Sequence, residues 1–187
     1  MTFLDVKNLH AEAGEKSILS GIFLNIKKGE LCVLAGPNGS GKTSVACAIA
    51  GHPAYRVRAD AMIFDGADIA GMKMHERAGR GIHWIPQSPP AFEGVGLSNL
   101  LRAAKKDARD IFSLRTDAVA ALERVGLPED FLLRPLHRDA SGGERKKVEL
   151  ALALILKPRF LIADEVDAGL DTEGITAAVS VLNELRR

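Results

Sequence analysis

Residues 36–43 read GPNGSGKT, between a continuous apolar run, LCVLAG, and a helical stretch, KTSVACAIAG. The spacing G-x-x-x-x-G-K-[ST] has a definite chemical use. Glycines let the backbone curl so that successive N–H groups converge on phosphate oxygens, and the helix that follows aims its positive end at the same point. Gly36, Pro37, Asn38, Gly39, Ser40, Gly41, Lys42, Thr43 and Ser44 are therefore the candidate phosphate-binding residues. Lys42 would reach the β- and γ-phosphates, and the Thr43 hydroxyl would hold Mg²⁺. An ordinary glycine turn is the alternative, and the strand–loop–helix setting argues against it.

A second candidate is DEVDAGLD, residues 164–171, after the apolar run RFLIA. Asp164, Glu165, Asp167 and Asp171 repel one another unless something positive sits among them. Mg²⁺ and Lys42 are the expected positive partners. Asp164, at the end of a buried strand, is placed to hold Mg²⁺ indirectly, opposite Thr43. Glu165 would then lie beside the γ-phosphate, where a carboxylate can polarise an attacking water.

The third is ASGGER, residues 140–145, which opens a long helix. Ser141, Gly142 and Gly143 make a second helix start able to bind an anion. The alternative is a capping box, with Ser141 as N-cap and Glu144 at the third helical position. Two phosphate-binding helix starts in one chain suggest a nucleotide held between two chains.

These residues need elements to position them, and the chain alternates strand and helix patterns. FLDVKNL, IFLNIKKG, LCVLAG, RADAMIFDG, GIHWIPQ and RFLIA read as strands. LCVLAG, apolar throughout, reads as a strand buried on both faces. KTSVACAIAG reads as a helix closed by Gly51. LSNLLRAAKKDARDIF, TDAVAALERVGL, GERKKVELALALIL and TEGITAAVSVLNELRR have helical spacing. The prediction is a single α/β domain with a core at 1–87 and 158–187 and a helical subdomain at 88–157.

Composition agrees. The 187 residues are 47% hydrophobic and 26% charged, as in ordinary globular chains, and a net charge of +1 gives no general pull toward nucleic acid or anionic lipid. Cys32 and Cys47 are too few for a disulfide framework and are expected in the core, as is Trp84. His10, His52, His75, His83 and His137 show no ligand spacing, and Arg145, Lys146 and Lys147 read as a solvated helix face. With no apolar signal core and no spanning stretch, a cytoplasmic protein without membrane insertion is expected.

GPNGSGKT, then Gln87 after a strand, then ASGGER, FLIADE and GLD, come in the order of the ABC-type ATPases. The chain resembles that family along essentially its whole length. The resemblance implies a P-loop NTPase core with an inserted helical subdomain, and ATP with Mg²⁺ as ligands. It implies that Gln87 senses Mg²⁺ and links core to subdomain, as a catalytic and metal-contacting residue beside Lys42 and Glu165. It also implies that Ser141 and Gly143 contact ATP held by a second copy in an ATP-dependent homodimer, with Asp171 at the dimer interface. Ala140 and Glu144 depart from the family's commonest signature, L-S-G-G-Q. DEVD in place of D-E-P-T, and SGGERKKVEL, are most similar to the SufC group, which serves iron–sulfur cluster assembly. That likeness implies SufB/SufD-like scaffold partners docking near Gln87 and PPAFEGVGLSNLL. Membrane subunits of a transporter are the alternative partners, and a nucleotide-dependent interaction module with little turnover is the third reading.

Two departures qualify the resemblance. AEAGEKS, ahead of the phosphate loop, has no aromatic residue on which adenine could stack. The family also has a further strand and a γ-phosphate-contacting histidine that these 187 residues do not contain. In the family's sheet that strand lies between the phosphate-loop strand and FLIADE, so the C-terminal part of the core sheet is expected to be absent here, the 187 residues being a fragment, the strand coming from elsewhere, or the sheet being rearranged. Nucleotide binding should tolerate this better than hydrolysis.

Lys42→Ala removes a charge-assisted phosphate contact worth roughly 1.5–3 kcal/mol. ATP affinity should fall at least about tenfold in a nucleotide titration, and an unchanged curve would refute the phosphate-loop assignment.

Overall fold

A computed structural model describes residues 2–89, 95–104, 111–134 and 140–186. The chain divides into two compact units, one formed by Met1–Trp84 with Arg186 and the other by Ile85–Leu185 with Arg187.

The first unit is built on a long antiparallel hairpin, β1 (Thr2–Ala13) and β2 (Lys16–Lys27). Gly14, at φ +61°, sits in the two-residue turn that joins them. The alternation on β1 changes phase midway: Leu4 and Val6 are buried, then Leu9 and Ala11. A bulge carries the change, because Val6 pairs with Leu24 while Leu9 pairs with Ile22. Asn8 lies inside it in the left-handed region, at φ +52°. On the other edge of β1 pair β3 (Arg56–Arg58) and β4 (Ala61–Phe64), and β5 (Ala67–Asp68) extends β4. Phe3 and Phe64 meet edge to face, 4.8 Å apart. Helices α1 (Lys42–Ala50) and α2 (Met74–Gly79) and strand β6 (Ile82–Ile85) complete the sequence of elements to the boundary, which falls within β6.

The second unit contains α3 (Leu97–Ala104), α4 (Ile111–Arg124), a 3-10 turn (Glu129–Leu132), α5 (Gly142–Leu156), β7 (Phe160–Ala163) and α6 (Thr172–Leu185). α5 is its centre. Its residues 148–155 are all buried, and it packs on α4 and α6. Leu97, Leu101, Leu114, Leu122, Val125 and Val181 join the same core. At the strand side, the N–H of Asp164 donates to the carbonyl of Ile85 at 3.0 Å. No helix among the described residues is long and apolar enough to cross a membrane.

The outstanding correction is LCVLAG. Residues 31–36 form no strand, and Leu31, Val33 and Leu34 are 63%, 76% and 47% exposed. Cys32 is exposed too, whereas Cys47 is buried as expected. A strand exists through its neighbours' hydrogen bonds. Among the described residues no strand pairs with this run, so its apolar side chains have nothing to bury against. Trp84 is half-buried rather than core. The stretch expected as one helix from Leu97 has α3 ending at Ala104 and α4 beginning at Ile111, with 105–110 outside the described residues.

Leu122→Ala, in the core of the second unit, should cost about 2–5 kcal/mol. A urea titration should show the lower midpoint, and an unshifted midpoint would mean that α4 is not part of a packed core.

Candidate functional site

The phosphate loop belongs to the first unit. Gly39 and Gly41 take φ values of +81° and +94°, which side-chain-bearing residues rarely adopt. At Gly41 there is a second reason for glycine, since a Cβ there would come within 2.9 Å of the Leu19 side chain. Gly41 is the N-cap of α1, with no side-chain cap bond, so the N–H groups of the first turn are left to a ligand. The Lys42 ammonium donates to the loop's own carbonyls, Gly36 O at 2.8 Å and Pro37 O at 2.9 Å. Those bonds hold the cation over the loop. Thr43 is exposed, while Ser44 is buried, its hydroxyl 3.3 Å from that of Tyr55. Gly36 to Thr43 thus combine an uncapped helix start with a cation, donor types that suit the phosphates of ATP.

In the second unit the structure brings together Gln87, Asp164 and Glu165. The Gln87 amide donates to the Glu165 carboxylate. Glu165 sits at φ +47°, a left-handed conformation costing roughly 1–2 kcal/mol in a side-chain-bearing residue. Backbone strain of this kind concentrates at working sites. Asp164 is buried, and its Oδ2 has no hydrogen-bond partner among the described residues. An orphaned buried carboxylate oxygen fits a hydrated Mg²⁺.

Sequence reasoning missed the residue that holds this end together. Lys146, read as part of a solvated helix face, is 2% exposed. Its ammonium donates to Pro86 O at 2.8 Å and Asp164 O at 3.3 Å. Burial pulls its pKa down, and the carboxylates of Asp164, Glu149, Glu165 and Asp167 push it back up. Lys146 is therefore the positive group among the acids of DEVD within this unit. Nothing within RKK signals that this lysine alone is buried. Glu149, one turn further, is buried, and burial pushes its carboxyl up to about 7 against the pull of Lys146.

The ASGGER start of α5 is a complete capping box. Ser141 Oγ accepts from Glu144 N–H at 3.2 Å, and Glu144 accepts from Ser141 N–H at 2.7 Å. The Ser141 backbone bond, with help from its hydroxyl, holds the Glu144 carboxyl below the usual carboxylate range. Gly142 and Gly143 follow, and a Cβ at Gly143 would lie 2.8 Å from Gly169 O. The helix start thus packs directly on the GLD loop. Asp171 in that loop accepts from Gly174 N–H at 2.7 Å, capping α6, and lies 3.8 Å from the Lys147 ammonium. Of the expected docking stretch, residues 90–94 lie outside the described residues, as does His137.

Fold and site together define an ATP-binding cassette. The family described as "ABC transporter" matches residues 19–168, and the chain belongs to that family. A Streptococcus pyogenes serotype M3 protein named "Probable ABC transporter ATP-binding protein" is 35% identical over 100% of this chain and 75% of its own length. "Probable ATP-dependent transporter ycf16" of Pyropia yezoensis is 36% identical, over 100% of this chain and 77% of its own. The structure of an ATP-binding subunit of an ABC transporter superposes with a TM-score of 0.80 at 27% identity, covering 98% of this chain and 75% of that one. CbiO1 of Clostridium perfringens, part of the transporter complex cbiONQ, gives 0.73 at 28% identity, over 99% and 74%.

Glu149 supplies a pH test. Its carboxyl is raised when folded, so its contribution to stability is fully present below the ordinary value of 4.5 and is lost as pH rises through about 7. Relative to Glu149→Gln, the native chain should lose on the order of 3 kcal/mol across that window. Paired denaturation curves at several pH values measure it, and a pH-independent difference would show that the carboxyl titrates alike in the folded and unfolded chain.

Proposed function

We propose that this ABC-family subunit hydrolyses ATP in a homodimer that closes around the nucleotide and drives a partner protein. The supporting observation is that one chain carries two separate glycine-rich helix starts: α1, which has no side-chain cap bond, and α5, where Gly142 and Gly143 follow the capping Ser141. In this reading Lys42 and the loop N–H groups of one protomer bind the β- and γ-phosphates. Ser141 and Gly143 of the other protomer contact the same ATP. The Thr43 hydroxyl would hold Mg²⁺ at the loop, and Asp164 is the acid proposed to hold it indirectly; when bound, the ion would neutralise phosphate charge. Glu165 accepts from Gln87 through one carboxylate oxygen, which orients it and leaves the other free to polarise water. Gln87 thereby links the base to the segment that leads into α3.

The names of the relatives favour membrane subunits of a transporter as the partner. A second reading, a cytoplasmic SufC-type ATPase acting on a SufB/SufD-like scaffold, is supported by Asp167 and by the buried Lys146 and Glu149 of SGGERKKVEL. The core and helical subdomain proposed at 1–87 with 158–187 and at 88–157 serve either reading.

Glu165→Gln keeps the size and most hydrogen bonds but removes the base, so turnover should fall roughly a hundredfold or more while ATP binding persists. The variant should accumulate as a dimer in Mg-ATP by sedimentation. Adding Ser141→Arg should abolish that dimer with near-normal ATP affinity; equal dimer with and without it would leave ASGGER as a capped helix start and nothing more. Co-purification of a multi-span membrane protein with the Glu165→Gln dimer supports the first partner, and of a soluble iron–sulfur scaffold the second.

A further inference from the structure

Arg77, on α2, is 2% exposed and is the largest fully buried side chain among the described residues. Its hydrogen bonds run mostly to backbone. Nη1 donates to Ala48 O and Ile49 O, each at 2.8 Å, Nε to Met72 O at 2.9 Å, and Nη2 to Ala70 O at 3.0 Å. Nη1 also lies 3.4 Å from the Met62 sulfur. Burial lowers its pKa, and the Asp68 charge opposes that. No described carboxylate forms an ion pair with it, so carbonyl dipoles compensate most of the charge.

Two of those carbonyls matter functionally. Ala48 and Ile49 lie in the last turn of α1, the helix whose first turn belongs to the phosphate loop. The last carbonyls of a helix lack intrahelical partners and carry partial negative charge. Arg77 supplies both a donor and a cation there. The bonds Gly51 N–H to Ala48 O and His52 N–H to Cys47 O share the work of closing this end.

Along its body, outside the phosphate loop, α1 has a side-chain hydrogen bond from Ser44 to Tyr55 at 3.3 Å. It has nine residues, too few to be stable alone. Residues 44–50 are all buried, and 46, 48 and 50 are alanine. Apolar burial on every side is non-directional, so it resists sliding or rotation of such a smooth helix weakly. Hydrogen bonds to Arg77 are directional, and they act at the opposite end from Lys42, about 13 Å away for nine residues. Gly51 confirms how closely the arginine is seated: a Cβ there would come within 3.0 Å of Nε and 3.1 Å of Cδ.

We propose that Arg77 is a positioning residue for nucleotide binding, anchoring the C-terminal end of α1 so that its N-terminal N–H groups and Lys42 stay aimed at the phosphates. The proposal rests on α1 and its loop as the ATP site, which Lys42→Ala tests separately.

The test compares Arg77→Met, Arg77→Lys and Leu9→Ala in the full chain. Leu9 is fully buried in the sheet of the same unit and is not a partner of Arg77. Melting curves fix a temperature at which each variant is folded, and a fluorescent ATP analogue with Mg²⁺ is titrated there. Arg77→Met should raise Kd at least about tenfold. Arg77→Lys, which can still donate to the Ala48 and Ile49 carbonyls, should stay within about threefold. Leu9→Ala should lower Tm with Kd within about twofold. Native affinity in Arg77→Met, or equal weakening in Leu9→Ala, overturns the proposal and leaves Arg77 a core residue. Should Arg77→Met not fold, Arg77→Gln, which keeps part of the donor set without the charge, is titrated in its place: weakened binding by the folded variant supports the anchor, and unchanged binding overturns it.

Discussion

An ammonium group with almost no access to water organises the second unit. Lys146 reaches from α5 to the carbonyls of Pro86 and Asp164, fastening the helix that begins with the signature glycines to both segments that carry Gln87 and Glu165. Burying such a charge is costly unless it is paired and hydrogen-bonded. Here two backbone carbonyls accept its hydrogen bonds, and the charges of the nearby acids, Asp164 foremost, favour its charged form. The acids need the lysine as much as it needs them, since so many carboxylates at one strand end would otherwise repel.

The same economy appears at the glycines. Gly169 O can approach Gly143 because Gly143 has no side chain, and the approach joins the α5 start to the GLD loop whose Asp171 caps α6. Three segments far apart in sequence are thus held together by hydrogen bonds and close backbone contact: the Gln87 strand end, the helix start at Ser141, and the loop from Asp164 to Asp171.

The first unit solves a different problem. Its loop must present bare N–H groups, so α1 has no side-chain N-cap and begins at a left-handed glycine. Stabilising forces are displaced to the other end of that helix, where Arg77 and Gly51 sit. The apolar run at 31–34 shows the reverse situation, with strand-forming residues that find no strand beside them among those described. Hydrophobicity states a demand for burial; whether it is met depends on what lies alongside.

The division between sequence and tertiary structure follows from that. GPNGSGKT and DE could be read as phosphate and metal chemistry because their function depends on local backbone geometry and on spacing, which a linear string records. ASGGER could be read both as an anion site and as a capping box for the same reason, and the box is formed. The patterns of α4 and α6 and of the hairpin strands were legible because burial on one face leaves a period, and α5 was legible from its long apolar run after a capping box. The roles of Lys146 and Arg77 were not legible. A lysine within RKK and an arginine within HERAG look like solvent-facing cations, and only the fold shows that water is excluded around them. Likewise LCVLAG has every local property of a buried strand, and its exposure was decided by the absence of a described pairing strand. Local conformation and motif chemistry are properties of short segments; burial, and the partner that makes a buried charge tolerable, belong to the packed structure.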